Sequence, residues 1–218
     1  MQTEINNDYL DDWWTKKIGQ NYDVQPKHVS ALQLLAPNHF PLYDLGAGAG
    51  VFLKFLEENF PDSNTRGVEI SETAISNKKC GSPIEMGDIV KWQPTNDVKT
   101  ASLIDVIEHI PDPVPLLQNI AIHTEYLLIT CPNFNFIQAR WDVLTGKIPF
   151  QNSVRRGGHV YWCQLESLIS VFNQAGLSIV ATNHLYPRNG NKVLRYLFSK
   201  LPKVFAHEFV FLLKNNKN

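Results

Sequence analysis

The stretch YDLGAGAGVF, residues 43–52, places three alternating glycines between two different hydrophobic patterns. A mostly apolar run, 40–45, leads into the glycines, and residues 51–58 follow a helical pattern that stops before Pro61. The stretch therefore predicts a strand, a glycine-rich turn and a helix. Glycines allow positive φ and a close approach of the backbone to a ligand, and the first amides of a helix favour anionic groups.

The spacing of the glycines discriminates between cofactors. They stand at Gly46, Gly48 and Gly50, whereas the dinucleotide fingerprint has its third glycine one residue later, where the helix packs beneath a pyrophosphate. Asp44 would repel a pyrophosphate but attract a cationic group, such as the ammonium or sulfonium of S-adenosylmethionine. The pattern favours that cofactor over NAD or FAD. Taken alone, the loop is equally compatible with a tight turn that binds nothing.

Three more acidic residues follow predicted strands further along the chain. Glu69 ends a short strand roughly 20 residues beyond the loop, where a carboxylate commonly binds ribose hydroxyls. Asp88, with Ile89 beside it, ends a third strand and could accept a hydrogen bond from an adenine amino group. Asp105 ends a fourth strand. Because the carboxyl ends of parallel strands meet at one edge of a sheet, we expect these groups to share a crevice.

In this order and spacing, the segments 44–50, 67–71, 87–89 and 105–113 resemble the class I S-adenosylmethionine-dependent methyltransferases. The resemblance is strongest to the ubiquinone-biosynthesis and MetW-like group. It implies one Rossmann-like α/β domain, with a mostly parallel seven-stranded sheet, helices on both faces and a terminal antiparallel strand pair. It also implies S-adenosyl-L-methionine as the cofactor. The implied cofactor-binding residues are Asp44, Gly46, Ala47, Gly48, Gly50, Glu69, Ile70, Asp88, Ile89 and Asp105.

The pattern assigns residues 1–218 to a single domain, with three parts that lie outside the alternating strands and helices. Residues 1–39 carry two predicted helices that are expected to cover the cofactor site. Residues 133–162 interrupt the alternation of strands and helices after the fifth strand, so we expect an irregular lid on the acceptor side. The Asn- and Lys-rich tail, 214–218, is predicted to be disordered.

Methyl transfer from a sulfonium requires few catalytic groups, because the leaving group is already good. The protein orients the nucleophile and, for a hydroxyl or protonated amine, removes a proton. His109 and His159 are the candidate bases, although either could simply pack or hold a turn. Arginines in the lid would suit a carboxylate or phosphate on the acceptor, unless they are merely solvated. The candidate acceptor-binding residues are Arg140, Trp141, Arg155, Arg156 and Tyr161.

Composition argues against several classes of partner. The net charge of −1 provides no basic excess for nucleic acid or an anionic membrane. The sequence contains neither a membrane-spanning apolar stretch nor a signal-peptide pattern at its N-terminus. The three cysteines are widely spaced and match no metal motif, so no metal site is predicted and reduced thiols are expected. These features together predict a cytoplasmic protein.

The sequence thus predicts a methyltransferase acting on an O or N atom of a small-molecule acceptor, anionic if the lid arginines bind it. One alternative is a non-catalytic, MetW-like partner protein that keeps the fold. A nicotinamide-dependent oxidoreductase is a weaker alternative, because the glycine spacing and Asp44 disfavour it. The oligomeric state is not specified by the sequence.

Overall fold

Seven strands form one sheet in the order β3-β2-β1-β4-β5-β7-β6 in the computed structural model. The structure describes residues 7–18, 23–149, 159–187, 196 and 198–217. The strands are β1 (Leu42–Leu45), β2 (Thr65–Glu69), β3 (Ile84–Met86), β4 (Thr100–Ile104), β5 (Tyr126–Pro132), β6 (Leu177–Thr182) and β7 (Glu208–Asn215).

Helices connect most of the strands, as the alternating hydrophobic patterns predict. α3 begins directly after the glycines, and α5 begins at Pro113 with Asp112 as its N-cap, accepting from the Val114 amide at 3.3 Å. The helices are α1 (Asn7–Ile18), α2 (Pro26–Leu32), α3 (Val51–Asn59), α4 (Glu72–Ser76), α5 (Pro113–His123), α6 (Ile137–Leu144), α7 (Leu165–Gln174) and α8 (Pro202–Phe205).

The direction of the strands confirms the predicted class I fold. Strands β1 to β5 pair in parallel, whereas β7 is antiparallel to both β5 and β6. All four residues of β1 are buried, since helices cover both faces of a parallel sheet. β1 lies between β2 and β4, so the chain order reverses beside it. Ligands of such sheets bind at this switch point, outside the carboxyl ends of the strands.

Two flanking segments are more ordered than the sequence predicted. β7 continues through Lys214 and Asn215, into the expected tail, because the buried Asn215 carboxamide donates to the Ala121 carbonyl at 2.6 Å. Part of the lid that was expected to be irregular is the two-turn helix α6. It contains neither glycine nor proline, and its buried Ala139 anchors it.

Two further expectations can be compared with the described part of the chain. All three cysteines, Cys80, Cys131 and Cys163, are free and buried. Among the described residues, no helix combines the length and apolar character needed to cross a membrane.

Candidate active site

The glycine loop folds tightly over the carboxyl end of β1. Gly46, Gly48 and Gly50 have φ values of +81°, +54° and +73°, which L side chains rarely adopt. The amides of Gly46 and Ala47 donate to the Val68 carbonyl of β2 at 2.8 and 3.0 Å. The loop is therefore tied to the neighbouring strand, and Gly50 caps the start of α3.

Helix α1 lies against this loop through Trp14. A Cβ atom added at Gly48 would be 2.3 Å from the Trp14 ring, so only a glycine allows the ring to lie this close. Trp14 is 7% exposed and packs with Ala49 and Ala74. The N-terminal helix thus contributes an aromatic surface beside the glycines.

A carboxylate on the same helix joins it to the turn after β2. Asp11 accepts hydrogen bonds from the Ser71 hydroxyl and, at 3.2 Å, from the Thr73 amide. The Ser71 bond, followed by the Thr73 bond, lowers the pKa of Asp11. Asp11 and Trp14 therefore hold α1 on both sides of the glycine loop.

Glu69 is the acidic residue most tightly integrated into the crevice. Its buried carboxylate accepts from the amides of Gly48 at 2.7 Å and of Ile70 and Ser71 at 2.9 Å. Burial raises the pKa of Glu69, although these three bonds oppose the rise. A carboxylate has about four acceptor positions, so three amides leave room for a hydroxyl donor.

Asp44 lies beneath the loop at the end of β1. It is 2% exposed, and its carboxylate accepts from the Ser102 hydroxyl of β4 at 2.6 Å. Burial raises the pKa of Asp44 to about 7; the Ser102 bond opposes the rise and the negative charge of Glu69 adds to it. A nearby cation would favour the ionised form of this carboxyl group.

Asp88 and Ile89 follow β3 at the outer end of the same edge. Asp88 caps a 3₁₀ turn, Ile89–Lys91, by accepting from the Val90 amide at 2.9 Å through Oδ1. Ile89 is half-buried and packs against the main hydrophobic core. An acidic group and an apolar side chain thus stand together, as adenine recognition would require.

Asp105 follows β4 in a strained conformation, with φ at +54°. Its Oδ1 accepts from the Thr130 hydroxyl at 3.0 Å, and its Oδ2 forms an ion pair with the buried Lys27 of α2. Burial alone would raise the pKa of Asp105, but the Lys27 charge and hydrogen bond, together with Thr130, lower it below its usual range. Asp105 is therefore a fixed negative charge at this end of β4.

A second polar cluster, formed by Glu108, His109 and His159, begins in the 3₁₀ turn Ile107–His109, shortly after Asp105. The rings of His109 and His159 are 4.9 Å apart, edge to face, and Phe134 packs on His159 at 5.5 Å. His109 is exposed, His159 is half-buried and the carboxyl of Glu108 is buried. The two histidines predicted as candidate bases are thus brought together.

Residues 25–182 match a family model described as a methyltransferase domain, which is well over half of the chain. The chain belongs to this methyltransferase family. A search among curated proteins gave no significant sequence match.

Solved structures of low sequence identity share the fold of the methyltransferase. Magnesium protoporphyrin IX methyltransferase from Synechocystis, with bound SAH, has a TM-score of 0.65 at 15% identity, over 96% of this chain and 97% of that one. A possible histamine N-methyltransferase from Thermotoga maritima has a TM-score of 0.62 at 17% identity, over 95% and 96%. Phosphoethanolamine N-methyltransferase 2 from Haemonchus contortus, with S-adenosyl-L-methionine, has a TM-score of 0.66 at 14% identity, over 97% and 60%. The predicted class I S-adenosylmethionine-dependent methyltransferase is thereby confirmed.

The lid residues of the methyltransferase occupy different settings. Arg140 is exposed and donates from Nε to the Asn135 carbonyl at 2.8 Å, while Trp141 is 60% exposed on the same helix, α6. Tyr161 is half-buried against the main core. The predicted acceptor residues Arg155 and Arg156 lie outside the described residues. Among the described lid residues, Arg140 and Trp141 therefore share α6, whereas Tyr161 belongs to the edge of the core.

Several residues of the methyltransferase site were not found by sequence reasoning. Lys27 is 78 positions from its partner Asp105, and nothing in its local sequence marks that contact. Trp14 likewise meets the loop only through the tertiary fold. Glu108 did carry a signal, because an acid next to a histidine directly after a predicted strand is a common arrangement in polar sites.

The contact between Trp14 and Gly48 leads to a testable expectation. We expect Gly48→Ala to lower the melting temperature and to weaken S-adenosylhomocysteine binding by more than about tenfold, since the added methyl must displace the ring and strain a positive φ. Differential scanning fluorimetry and calorimetry measure both effects. Gly146→Ala is the matched control, because its φ of +76° is similar but no atom lies within 4 Å of the added methyl. Equal losses in the two variants would contradict a role for the Trp14 contact.

Proposed function

We propose that this chain transfers a methyl group from S-adenosylmethionine to an O or N atom of a small-molecule acceptor. The observation that carries the proposal is that a glycine loop, the acids Asp44 and Asp105 and a polar histidine cluster lie along one edge of the sheet. Asp44 and Asp105 stand at the ends of adjacent parallel strands, β1 and β4. Asp105 is paired with Lys27, so the ionised carboxylate of Asp44 is the negative charge that favours a cationic cofactor.

The cofactor is proposed to lie along the carboxyl ends of β1 to β3. The loop from Gly46 to Gly50 would hold the methionine portion, with Asp44 attracting its cationic groups. Glu69 would accept from the ribose hydroxyls through its remaining acceptor position, with Ile70 beside it. The adenine amine would donate to Asp88 while Ile89 covers the ring. This arrangement puts the sulfonium near Asp105.

The acceptor is proposed to enter beside the histidine cluster. A cleft of about 470 Å³ there is lined mainly by apolar side chains, among them Phe134, Val143 and Trp162, with Lys147 as its cationic group. Phe134 also contacts His159, so the cleft adjoins the polar cluster. These contacts support an acceptor with an apolar body and a polar group at one end. Resemblance to the ubiquinone-biosynthesis and MetW-like group supports a small molecule as well.

In the proposed reaction the acceptor atom attacks the methyl carbon in line with the sulfur. The bond from carbon to the acceptor forms as the carbon–sulfur bond breaks, and the electron pair of that bond passes to the sulfur, leaving neutral S-adenosylhomocysteine. The acceptor's proton is lost beside His109 and His159, the two candidate bases. The Lys27–Asp105 pair would hold this end of β4 rigid during transfer.

The first test is incubation with methyl-labelled S-adenosylmethionine and a panel of apolar phenols, carboxylic acids and amines. Label in one acceptor class supports the proposal. Tight cofactor binding without transfer to any acceptor, together with capture of a protein partner, would favour the non-catalytic alternative.

The lid arginines provide a separate prediction for an anionic acceptor. We expect replacement of Arg155 and Arg156 together by glutamine to raise the Michaelis constant for that acceptor by about tenfold or more, while the affinity for S-adenosylhomocysteine stays unchanged. Lys203→Gln is a control on an exposed cation that pairs with Glu166 at 3.3 Å. If the double variant has the same acceptor kinetics as this control, the arginines do not bind the acceptor.

A further inference from the structure

The carboxyl group of Glu108 is an unusual feature of the acceptor side. Glu108 is 1% exposed, and its Oε2 has no hydrogen-bond partner among the residues that the structure describes. A buried polar oxygen without a partner is destabilising, so such a group calls for an explanation such as a bound ion.

Two imidazoles stand beside this carboxyl group. The backbone carbonyl of Glu108 accepts from the amides of Val160 at 2.8 Å and Tyr161 at 3.0 Å, which fixes His159 next to the turn that carries His109. One ligand atom from each of Glu108, His109 and His159 lies within 4.8 Å of the other two. Ligands of one tetrahedral ion are about 3.4 Å apart, so the three groups would move closer together on binding, and the exposed His109 ring has room to do so.

We propose that Glu108, His109 and His159 bind a divalent transition-metal ion at the acceptor end of the site. The sequence had predicted no metal site, because His159 is far along the chain from Glu108 and His109. The ligands instead come from one turn after β4 and from a segment far along the chain, held together by the backbone bonds of Glu108.

The set of donor atoms indicates the class of metal. Two imidazole nitrogens and one carboxylate oxygen suit Zn²⁺, Co²⁺, Mn²⁺ or Fe²⁺, whereas Mg²⁺ and Ca²⁺ prefer oxygen ligands. Three protein ligands leave at least one coordination position for another molecule. Because His109 is exposed and His159 is only half-buried, that position faces the side from which an acceptor enters.

This inference deepens the proposed function and rests on it for the identity of the bound molecule. A metal ion binds the oxygen of a hydroxyl group and lowers its pKa, so the proton leaves to water and the resulting oxyanion attacks the methyl carbon. The carbon–oxygen bond forms, the carbon–sulfur bond breaks and the sulfur retains the electron pair. The acceptor class is then a hydroxyl on an apolar body, and the two histidines hold the ion instead of removing the proton themselves.

Metal binding can be measured without any acceptor. Full-length protein, free of any affinity tag and dialysed against a chelator, would be titrated with Co²⁺ while its visible absorption is recorded, and with Zn²⁺ in competition. We expect one ion per chain. Glu108→Gln, His109→Gln and His159→Gln should each weaken binding by at least about 100-fold. His123→Gln is the matched control, because His123 lies at the end of α5 against Trp92, outside the cluster, and should bind normally.

Three variants keep the test decisive if one of them does not fold, which circular dichroism would show. Unchanged Co²⁺ affinity in the folded variants, or no stoichiometric binding to the wild-type chain, would overturn the metal site. Calorimetry with S-adenosylhomocysteine on the same samples separates the two proposals. If the ion binds but no acceptor of the panel is methylated, the proposed function fails and the metal site stands. If label transfer proceeds fully in the presence of chelator, the proposed function stands and the metal proposal fails.

Discussion

Glu69→Ala is expected to reduce the affinity for S-adenosylhomocysteine by at least about 100-fold. A hydrogen bond to a charged group contributes about 1.5–3 kcal/mol, and the variant removes the one proposed between Glu69 and the ribose. It also removes the bond from the Gly48 amide, which ties the glycine loop to the end of β2 at 2.7 Å. The cofactor therefore loses both a direct contact and part of a preformed loop. Isothermal calorimetry at pH 7.5 measures the change.

Stability should respond less than binding in this variant. Burial raises the pKa of Glu69, so the ionised carboxylate carries a desolvation cost that offsets its three amide bonds. Glu69→Gln keeps an acceptor oxygen without the charge and should fall between wild type and alanine. Glu58→Ala, on an exposed helical acid of α3 that is 55% exposed, is the control and should leave affinity unchanged. Cofactor binding that survives in Glu69→Ala would remove this residue from the ribose site, as would a larger loss in Asp88→Ala.

The predictable part of this site follows from the geometry of parallel sheets. Each of Asp44, Glu69 and Asp105 ends or directly follows a strand, and parallel strands bring those ends to one edge whatever the rest of the chain does. Apolar runs bounded by Gly, Pro or Asp mark the strands and helices locally. The proposed cofactor half of the site therefore follows from sequence patterns alone.

The remaining features depend on contacts that have no local signature. Lys27 reaches Asp105 because α2 packs against the sheet, and Trp14 reaches Gly48 because α1 folds over the loop. The lid was expected to be irregular because its aromatic residues obscure the helical pattern of Ile137–Leu144. Side-chain burial, which made Glu108 informative, is a property of the packed molecule and not of its local sequence.

The second large effect is expected at Asp44, whose pKa is raised to about 7. The cationic groups of the cofactor favour the ionised carboxylate, so binding releases a proton whenever the carboxyl group is protonated beforehand. Affinity for S-adenosylhomocysteine, through its ammonium group, should therefore increase by about tenfold between pH 6 and pH 8, as the ionised fraction rises. Calorimetry across this range measures the slope. Asp44→Asn should bind weakly and without the slope.

The same substitution should stabilise the protein in the absence of ligand. Because the folded-state pKa is raised above the ordinary value of 3.8, the folded protein binds more protons than the unfolded chain between those two values. The free energy of unfolding consequently falls as pH rises from about 4 through about 7, and the cost is complete at pH 8. The loss in free energy of unfolding is at most about 4 kcal/mol, and it should be absent in Asp44→Asn, whose side chain does not ionise. Urea unfolding of both proteins at pH 5 and pH 8 tests this difference.

Ser102→Ala provides the matched variant that connects the two effects. The Ser102 hydroxyl donates to the Asp44 carboxylate at 2.6 Å and so favours the ionised form. Its removal should raise the pKa of Asp44 further and shift the rise in cofactor affinity to higher pH, without changing the residue proposed to attract the cofactor. An affinity that is flat from pH 6 to pH 8 in the wild-type chain, or an unshifted profile in Ser102→Ala, would mean that Asp44 is no electrostatic partner of the cofactor. A shifted profile would identify the carboxyl beneath the glycine loop as the group that couples cofactor binding to pH.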